Sequence, residues 1–126
     1  MKVVLDASAL LAVLLREPGA ERVTPLLLGS KICSVNLTEV GTRLVDVGDK
    51  PETLLTQIHE LGVEIVPFDQ TLATAAILLR DGTRSAGLSL GDRACIALAM
   101  REQAVAVTTD RAWARLELGC TIELIR

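Results

Sequence analysis

Aromatic rings are nearly absent from this chain: it has no tyrosine, and Phe68 and Trp113 are its only aromatic residues. The core must therefore be aliphatic, and base stacking on aromatic platforms is a poor mode for any nucleic-acid contact. His59 is the only histidine and falls in Leu54-Leu55-Thr56-Gln57-Ile58-His59-Glu60-Leu61, where it reads as an exposed helix position. With one histidine, a Cys/His metal site or a histidine-activated nucleophile has no partner. Cys33, Cys95 and Cys120 are odd in number, far apart and set in apolar segments, which predicts reduced buried thiols rather than a disulfide framework. Half the residues are hydrophobic, yet no apolar run approaches the ~20 residues of a membrane-spanning helix. Lys2 and Asp6 interrupt what a signal peptide would need, so a soluble cytoplasmic protein is expected. A formal net charge of −3 offers no global attraction to nucleic acid, and any phosphate binding has to be local. At 126 residues the chain is expected to be one domain spanning 1–126.

What is present begins with Val3-Val4-Leu5-Asp6-Ala7-Ser8. Three adjacent aliphatic residues, two of them β-branched, are too short for a helix and predict a strand buried on both faces, as in the middle of a parallel sheet. Asp6 stands at its carboxyl end, and in open α/β sheets ligands bind in the crevice beyond strand carboxyl ends. Ser8 is placed to N-cap the helix over residues 9–15. The plainer alternative is that Asp6 and Ser8 only satisfy N–H groups in that helix's first turn.

Strand and helix signals then alternate. Pro18 opens, and Pro25 kinks or shortens, a second helix over about 21–28. Residues 31–35 read as a second strand, and Asn36-Leu37-Thr38-Glu39 has the spacing of a capping box for a helix through Val47. Asp49-Lys50-Pro51 starts a further helix that Gly62 stops. Residues 63–67 form a third strand, after which Asp69 caps a helix through Arg80 that closes at Gly82. Beyond a loop at 83–88, Ser89-Leu90-Gly91-Asp92 repeats the capping spacing before a long apolar helix. Residues 105–108 make a fourth strand, which runs out at Thr109-Asp110 as the first ran out at Asp6. A short helix around Trp113 and a last strand at 121–125 complete an α/β pattern, a mostly parallel sheet of four to five strands with helices on both faces.

Asp6 and Asp110 thus each end a strand, while Glu39 and Asp92 sit in helix first turns on the same side of the sheet. Each acid alone is explained by capping. Together in one crevice they would repel, and such groups either raise one another's pKa or are held by a divalent cation. Oxygen ligands without His or Cys select Mg²⁺ or Mn²⁺ over zinc. An ion held there can activate a water and orient a phosphate, the logic of metal-assisted phosphodiester hydrolysis.

The ordered motifs Leu5-Asp6-Ala7-Ser8, Asn36-Leu37-Thr38-Glu39-Val40, Ser89-Leu90-Gly91-Asp92-Arg93-Ala94-Cys95-Ile96-Ala97-Leu98-Ala99 and Thr108-Thr109-Asp110 resemble the PIN-domain nucleases, and more narrowly the VapC toxins of bacterial type II toxin-antitoxin modules. The resemblance runs from Met1 to the final strand, with the Asp92 motif its most specific part. It implies a PIN fold, a three-layer α/β/α sandwich, and Mg²⁺-dependent endoribonuclease activity for which Mn²⁺ can substitute. It also implies homodimerisation and tight inhibition by a small VapB antitoxin. By motif, Asp6 and Asp92 correspond to the principal metal-binding acids, Glu39 and Asp110 complete the acidic pocket, and Ser8 and Thr108 match supporting hydroxyl positions.

RNA entering an acidic pocket needs cations nearby, and Arg93, Arg111 and Arg115 lie close in sequence to the acids, with Arg43 and Arg84 weaker candidates. Their alternative is local pairing or solvent exposure. The first helices carry more aliphatic surface than one sheet face needs, which is core or a groove for dimer and antitoxin. A phosphoryl-accepting signalling domain lacks a well-placed lysine among Lys2, Lys31 and Lys50, an Asp-x-Asp phosphatase fails because Ser8 takes the second acidic position, and no Gly-rich phosphate loop follows the first strand. The remaining rival is a non-catalytic PIN-like module that binds RNA or protein without cutting.

Overall fold

In the computed structural model, which describes residues 1–126, Val3–Leu5 form a fully buried strand, β1. Lys31–Cys33 (β2), Glu64–Val66 (β3), Val105–Thr108 (β4) and Thr121–Leu124 (β5) join it in one sheet of order β3-β2-β1-β4-β5. Every pairing is parallel, so the sheet is wholly rather than mostly parallel. A short aliphatic strand suits the centre of such a sheet because both its faces are covered. Val3 and Leu5 pack into one cluster with Leu10, Val23, Val40 and Ile58, whereas Val4 packs into the other with Leu72, Ile96 and Trp113. The alternation of side chains along a strand therefore divides the core into two layers.

The first cluster is covered by helices Ala7–Leu14 (α1), Ala20–Val23 (α2), Ser34–Asp46 (α3) and Leu54–Glu60 (α4). Gln70–Leu78 (α5), Arg80–Thr83 (α6) and Leu90–Glu102 (α7) follow, with α5 and α7 over the second cluster. This is the expected three-layer α/β/α arrangement. The chain steps outward from β1 to β2 and β3, then returns to the other side of β1 as β4. The order thus reverses between β1 and β4, and a crevice opens beyond the strand ends at such a reversal.

Several boundaries differ from the sequence pattern. Asp6, not Ser8, is the N-cap of α1: its backbone is extended and its carboxylate accepts from Ala9 N at 2.8 Å, leaving Ser8 inside the first turn. α3 begins at Ser34, directly after a β2 that pairs with β3 over three positions, and its N-cap Cys33 makes no side-chain bond. Asn36 and Glu39 therefore lie within the helix and form no capping box; sheet pairing overrode the local cap preference. Pro25 does shorten the second helix, which passes at Val23 into a 3₁₀ turn over Thr24–Leu26. Gly82 does not close the α5 region: α6 and a 3₁₀ turn at Arg84–Ala86 continue it until Gly87, whose φ of 68° suits a residue without Cβ. The segment around Trp113 is a 3₁₀ helix, Arg111–Arg115, and the Trp113 side chain is fully buried. No helix is long and apolar enough to cross a membrane.

Candidate active site

The crevice at the β1/β4 reversal is lined by Asp6, Glu39, Asp92 and Asp110 together, with Ser8 and Leu11 from α1, Asn36 from α3 and Thr109 beside them. Different elements deliver the acids. Parallel pairing sets Leu5 opposite Val107, so the next residues, Asp6 and Thr108, leave the sheet side by side. α3 rises from β2 and carries Glu39, and α7 starts at the same sheet edge with Asp92 in its first turn.

Asp6 is the most enclosed, at 4% exposure. Ser8 Oγ donates to its Oδ1 at 2.7 Å and Thr108 Oγ1 donates to its Oδ2 at 2.5 Å. The hydroxyls are themselves held, since Thr109 N donates to Ser8 Oγ and Asp110 N to Thr108 Oγ1, both at 3.0 Å. Asp6 is thereby tied to the turn that carries Asp110. Burial pushes its carboxyl from 3.8 up to about 6 against the pull of these donors, and the charge of Asp92 adds to the rise.

Asp92 sits in the capping box that its motif predicts: Ser89 N donates to Asp92 Oδ2 at 2.9 Å, and Asp92 N donates to Ser89 Oγ at 3.1 Å. Burial nonetheless raises its pKa, and the charge of Asp110 pushes the same way. Glu39 is exposed as a residue, but its carboxyl lies against Gly91 of α7; burial raises its pKa, Asn36 opposes with a hydrogen bond, and Asp92 adds repulsion. Asp110 accepts from Ala112 N at 2.9 Å and so caps the following 3₁₀ helix while facing the crevice. Capping and crevice lining are compatible, because one carboxylate oxygen suffices for the cap.

None of the four acids is in an ion pair; the pairs in the molecule involve Glu123, Glu64, Glu102, Asp81 and Asp69. None of the candidate cations pairs with these acids. Arg93 Nη1 donates to Ala76 O at 2.9 Å, directing the guanidinium onto α5. Arg111 is exposed beside Asp110 with Nε donating to Arg126 O at 3.4 Å. Arg115 and Arg43 are exposed, and Arg84 pairs with Asp81 at 3.3 Å. His59 is exposed on α4. Cys33 and Cys95 are buried and Cys120 is half-buried, all as free thiols.

The crevice offers carboxylate and hydroxyl oxygens and neither histidine nor cysteine, a donor set for a hard divalent cation. Free lone pairs remain on each acid after its internal bonds are counted. No three of the acids stand close enough together to hold one metal ion between them, so any ion there would take at most two carboxylates directly and complete its shell with water.

Asn36 and Gly91 escaped the sequence reading. Asn36 is buried at 1% exposure, and its Nδ2 donates to Glu39 Oε1 at 3.1 Å and Gly91 O at 2.9 Å. An amide three residues before a glutamate looks like a helix cap, and only the partner on α7 reveals otherwise.

Several solved structures share this fold. A toxin-antitoxin complex from Klebsiella pneumoniae superposes with a TM-score of 0.75 at 16% identity over 98% of both chains. DNA-bound VapBC from Salmonella typhimurium gives 0.73 at 20% identity over 100% of this chain and 99% of that one. FitAcB from Neisseria gonorrhoeae gives 0.67 at 20% identity over 95% of both. No curated protein matches the chain in sequence. The family model for the PIN domain matches residues 3–118, a span that holds all four crevice acids, and the chain belongs to the PIN-domain family.

Proposed function

We propose that this protein is a metal-dependent endoribonuclease of the VapC type, a toxin restrained by a VapB-type antitoxin. The carrying observation is the crevice itself: Asp6, Glu39, Asp92 and Asp110 converge at the sheet reversal and none of them is in an ion pair. Membership in the PIN-domain family supports nuclease chemistry, and the toxin-antitoxin complexes among the structural neighbours support the narrower reading.

In this reading Asp6 and Asp92 hold Mg²⁺, or Mn²⁺ in its place, while Glu39 and Asp110 complete the negative wall and accept hydrogen bonds from waters. When bound, the ion supplies Lewis acidity toward a phosphate oxygen and a lowered pKa for an attacking water. The chain's own contribution is placement. Ser8 and Thr108 fix both oxygens of Asp6 through their hydroxyls, so that carboxylate does not turn as the substrate enters. Water attacks phosphorus, one phosphodiester P–O bond breaks, and the departing oxygen leaves as a hydroxyl. Arg111, exposed beside Asp110, is the foremost contact for an RNA phosphate; Arg115 lies further along the same turn, and Arg93 is committed to the Ala76 carbonyl.

The reading includes a cytoplasmic location and a homodimer. Exposed aliphatic residues support partner surfaces: Leu28 and Leu55 on the α1–α4 side, and Ile77 and Leu78 at the end of α5.

Cleavage of a mixed cellular RNA pool tests the proposal, using antitoxin-free protein with Mg²⁺, Mn²⁺ or EDTA. Fragments are expected with either metal and none with EDTA. Asp6→Asn should reduce the rate by at least about 10²–10³-fold, the scale of losing a principal electrostatic group. A folded protein that binds Mn²⁺ and Mg²⁺ yet leaves RNA intact would overturn the nuclease and favour a PIN-like binding module.

A further inference from the structure

We infer that Asn36 and Gly91 form a two-sided cradle that positions the Glu39 carboxylate over the first turn of α7, making both of them positioning residues for the reaction proposed above. The inference rests on that nuclease reading for its functional meaning, and on independent geometry for the cradle.

The first side is the buried amide. Asn36 Nδ2 carries two hydrogens; one bonds Glu39 Oε1 on the same helix and the other bonds Gly91 O on α7. A single side chain thus fastens α3 to α7 at the point where each presents an acid to the crevice. Its Oδ1 is buried without a donor. A buried amide serving only stability has both ends satisfied, because an acceptor deprived of water and of a partner is unfavourable. The half-satisfied state of Asn36 is consistent with a residue set by what its nitrogen holds.

The second side is an absent side chain. Gly91 lies in helix α7 with no left-handed φ to demand glycine, and glycine is a poor helix former. Space explains it: a Cβ built there would stand 2.5 Å from Glu39 Cδ and Oε2. The Glu39 carboxyl occupies the volume that any other residue at position 91 would fill.

Glu39 needs such a device. The residue is exposed, its side chain has three rotatable bonds, and Asp92 follows Gly91 directly. Repulsion between the two carboxylates, together with rotamer entropy, favours Glu39 swinging out into water. The amide draws it in and the glycine leaves it room, so Glu39 and Asp92 remain on one wall.

The test approaches the cradle from both sides. Gly91→Ala replaces glycine by the best helix former, and the nearest atoms in its way are the carboxyl end of the Glu39 side chain, so the melting temperature should hold or rise. RNA cleavage should fall about 10–100-fold, as for loss of a supporting group around a metal site. The loss is expected in kcat, with KM for RNA within about twofold. Asn36→Leu should fall in the same range, and neither change should lower cleavage further in a Glu39→Gln background. A readout free of activity is the ¹³C carboxyl resonance of Glu39, identified by its disappearance in Glu39→Gln; it should shift or broaden in Gly91→Ala. Unchanged cleavage and an unmoved Glu39 resonance in Gly91→Ala would overturn the cradle, as would a full additional loss in Glu39→Gln. Should Asn36→Leu fail to fold, Gly91→Ala decides. If the wild-type protein cuts no RNA, the nuclease reading fails separately, and the Glu39 resonance alone decides whether the cradle exists.

Discussion

Asp6 and Asp69 are near-twins in backbone terms. Each follows a parallel strand, each N-caps the next helix from an extended conformation, with φ/ψ of −86°/177° and −85°/180°, and each accepts from the N–H three residues on, at 2.8 and 2.9 Å. Their surroundings reverse their chemistry. Asp69 is exposed, and its pKa is lowered first by the Leu72 N–H and then by the Arg101 guanidinium, which lies 3.0 Å from its Oδ2. Asp6 is buried with hydroxyl donors and a second carboxylate for company, and its pKa rises to about 6. A cap geometry therefore says nothing about function. What sets Asp6 apart is enclosure without a counter-charge, an arrangement that destabilises the ionised carboxylate and that, in the proposed reading, a divalent cation would relieve.

The largest expected effect separating the twins is on stability against pH. The folded pKa of Asp6 lies above the unfolded value of 3.8, so below about pH 4 both states keep the proton and the residue contributes nothing. Between about pH 4 and 6 the unfolded chain releases its proton while the folded chain retains it, and stability falls. Two pKa units correspond to about 3 kcal/mol, fully lost above about pH 7. Asp6→Asn should therefore raise the stability of metal-free protein at pH 8 by up to that amount and leave it unchanged at pH 4. Denaturant melts at the two pH values check this. Asp69→Asn should act in the opposite direction: its lowered pKa contributes stability above the unfolded value, lost as pH falls through the folded one, and asparagine keeps the cap but loses the charge. An Asp6→Asn variant less stable than wild type at pH 8 would break the comparison.

The sequence carries one half of this contrast. The aliphatic run Val3-Val4-Leu5 ending on a carboxylate marks Asp6, and the Ser89-to-Asp92 spacing marks a capping box that forms as expected. Those signals are local. The partners that decide each carboxylate's chemistry are not: the cation Arg101 stands 32 residues from Asp69, and the hydroxyl of Thr108 stands 102 residues from Asp6. The same distance hides Asn36, whose second acceptor on Gly91 is 55 residues away. Nearness in sequence also misleads, since successive helix residues point about 100° apart. Arg93 adjoins Asp92 yet reaches Ala76 on α5. The start of α3 at Ser34 was illegible for a further reason, because the end of β2 is set by its parallel neighbours rather than by its own residues.

A smaller effect sharpens the Asp6 side. Thr108→Val preserves shape in a fully buried position but removes the 2.5 Å donor to Asp6 Oδ2 and the acceptor for Asp110 N. Cleavage should fall by about 10–100-fold, the scale for groups that orient a metal-binding side chain. The Mn²⁺ concentration at half-maximal rate should rise with it. Wild-type metal dependence in a folded Thr108→Val protein would mean that Ser8 and Ala9 hold Asp6 unaided.

The smallest effect belongs to the counter-charge of the other twin. Arg101→Met keeps an unbranched apolar stem and removes the guanidinium with its two contacts with Asp69, at 3.2 and 3.0 Å, on a half-exposed carboxylate. Solvent screens such a pair, and its two flexible partners lose entropy in making it. The Leu72 N–H, the stronger of the causes holding the Asp69 pKa down, is untouched by the substitution. The expected outcome is a slight fall in melting temperature at low salt that vanishes when salt shortens the screening length to a few ångströms, with RNA cleavage unaltered. A large loss of cleavage would mean that Arg101 acts on the crevice through α7, and enclosure without a counter-charge would then be too simple a criterion for telling the two aspartates apart.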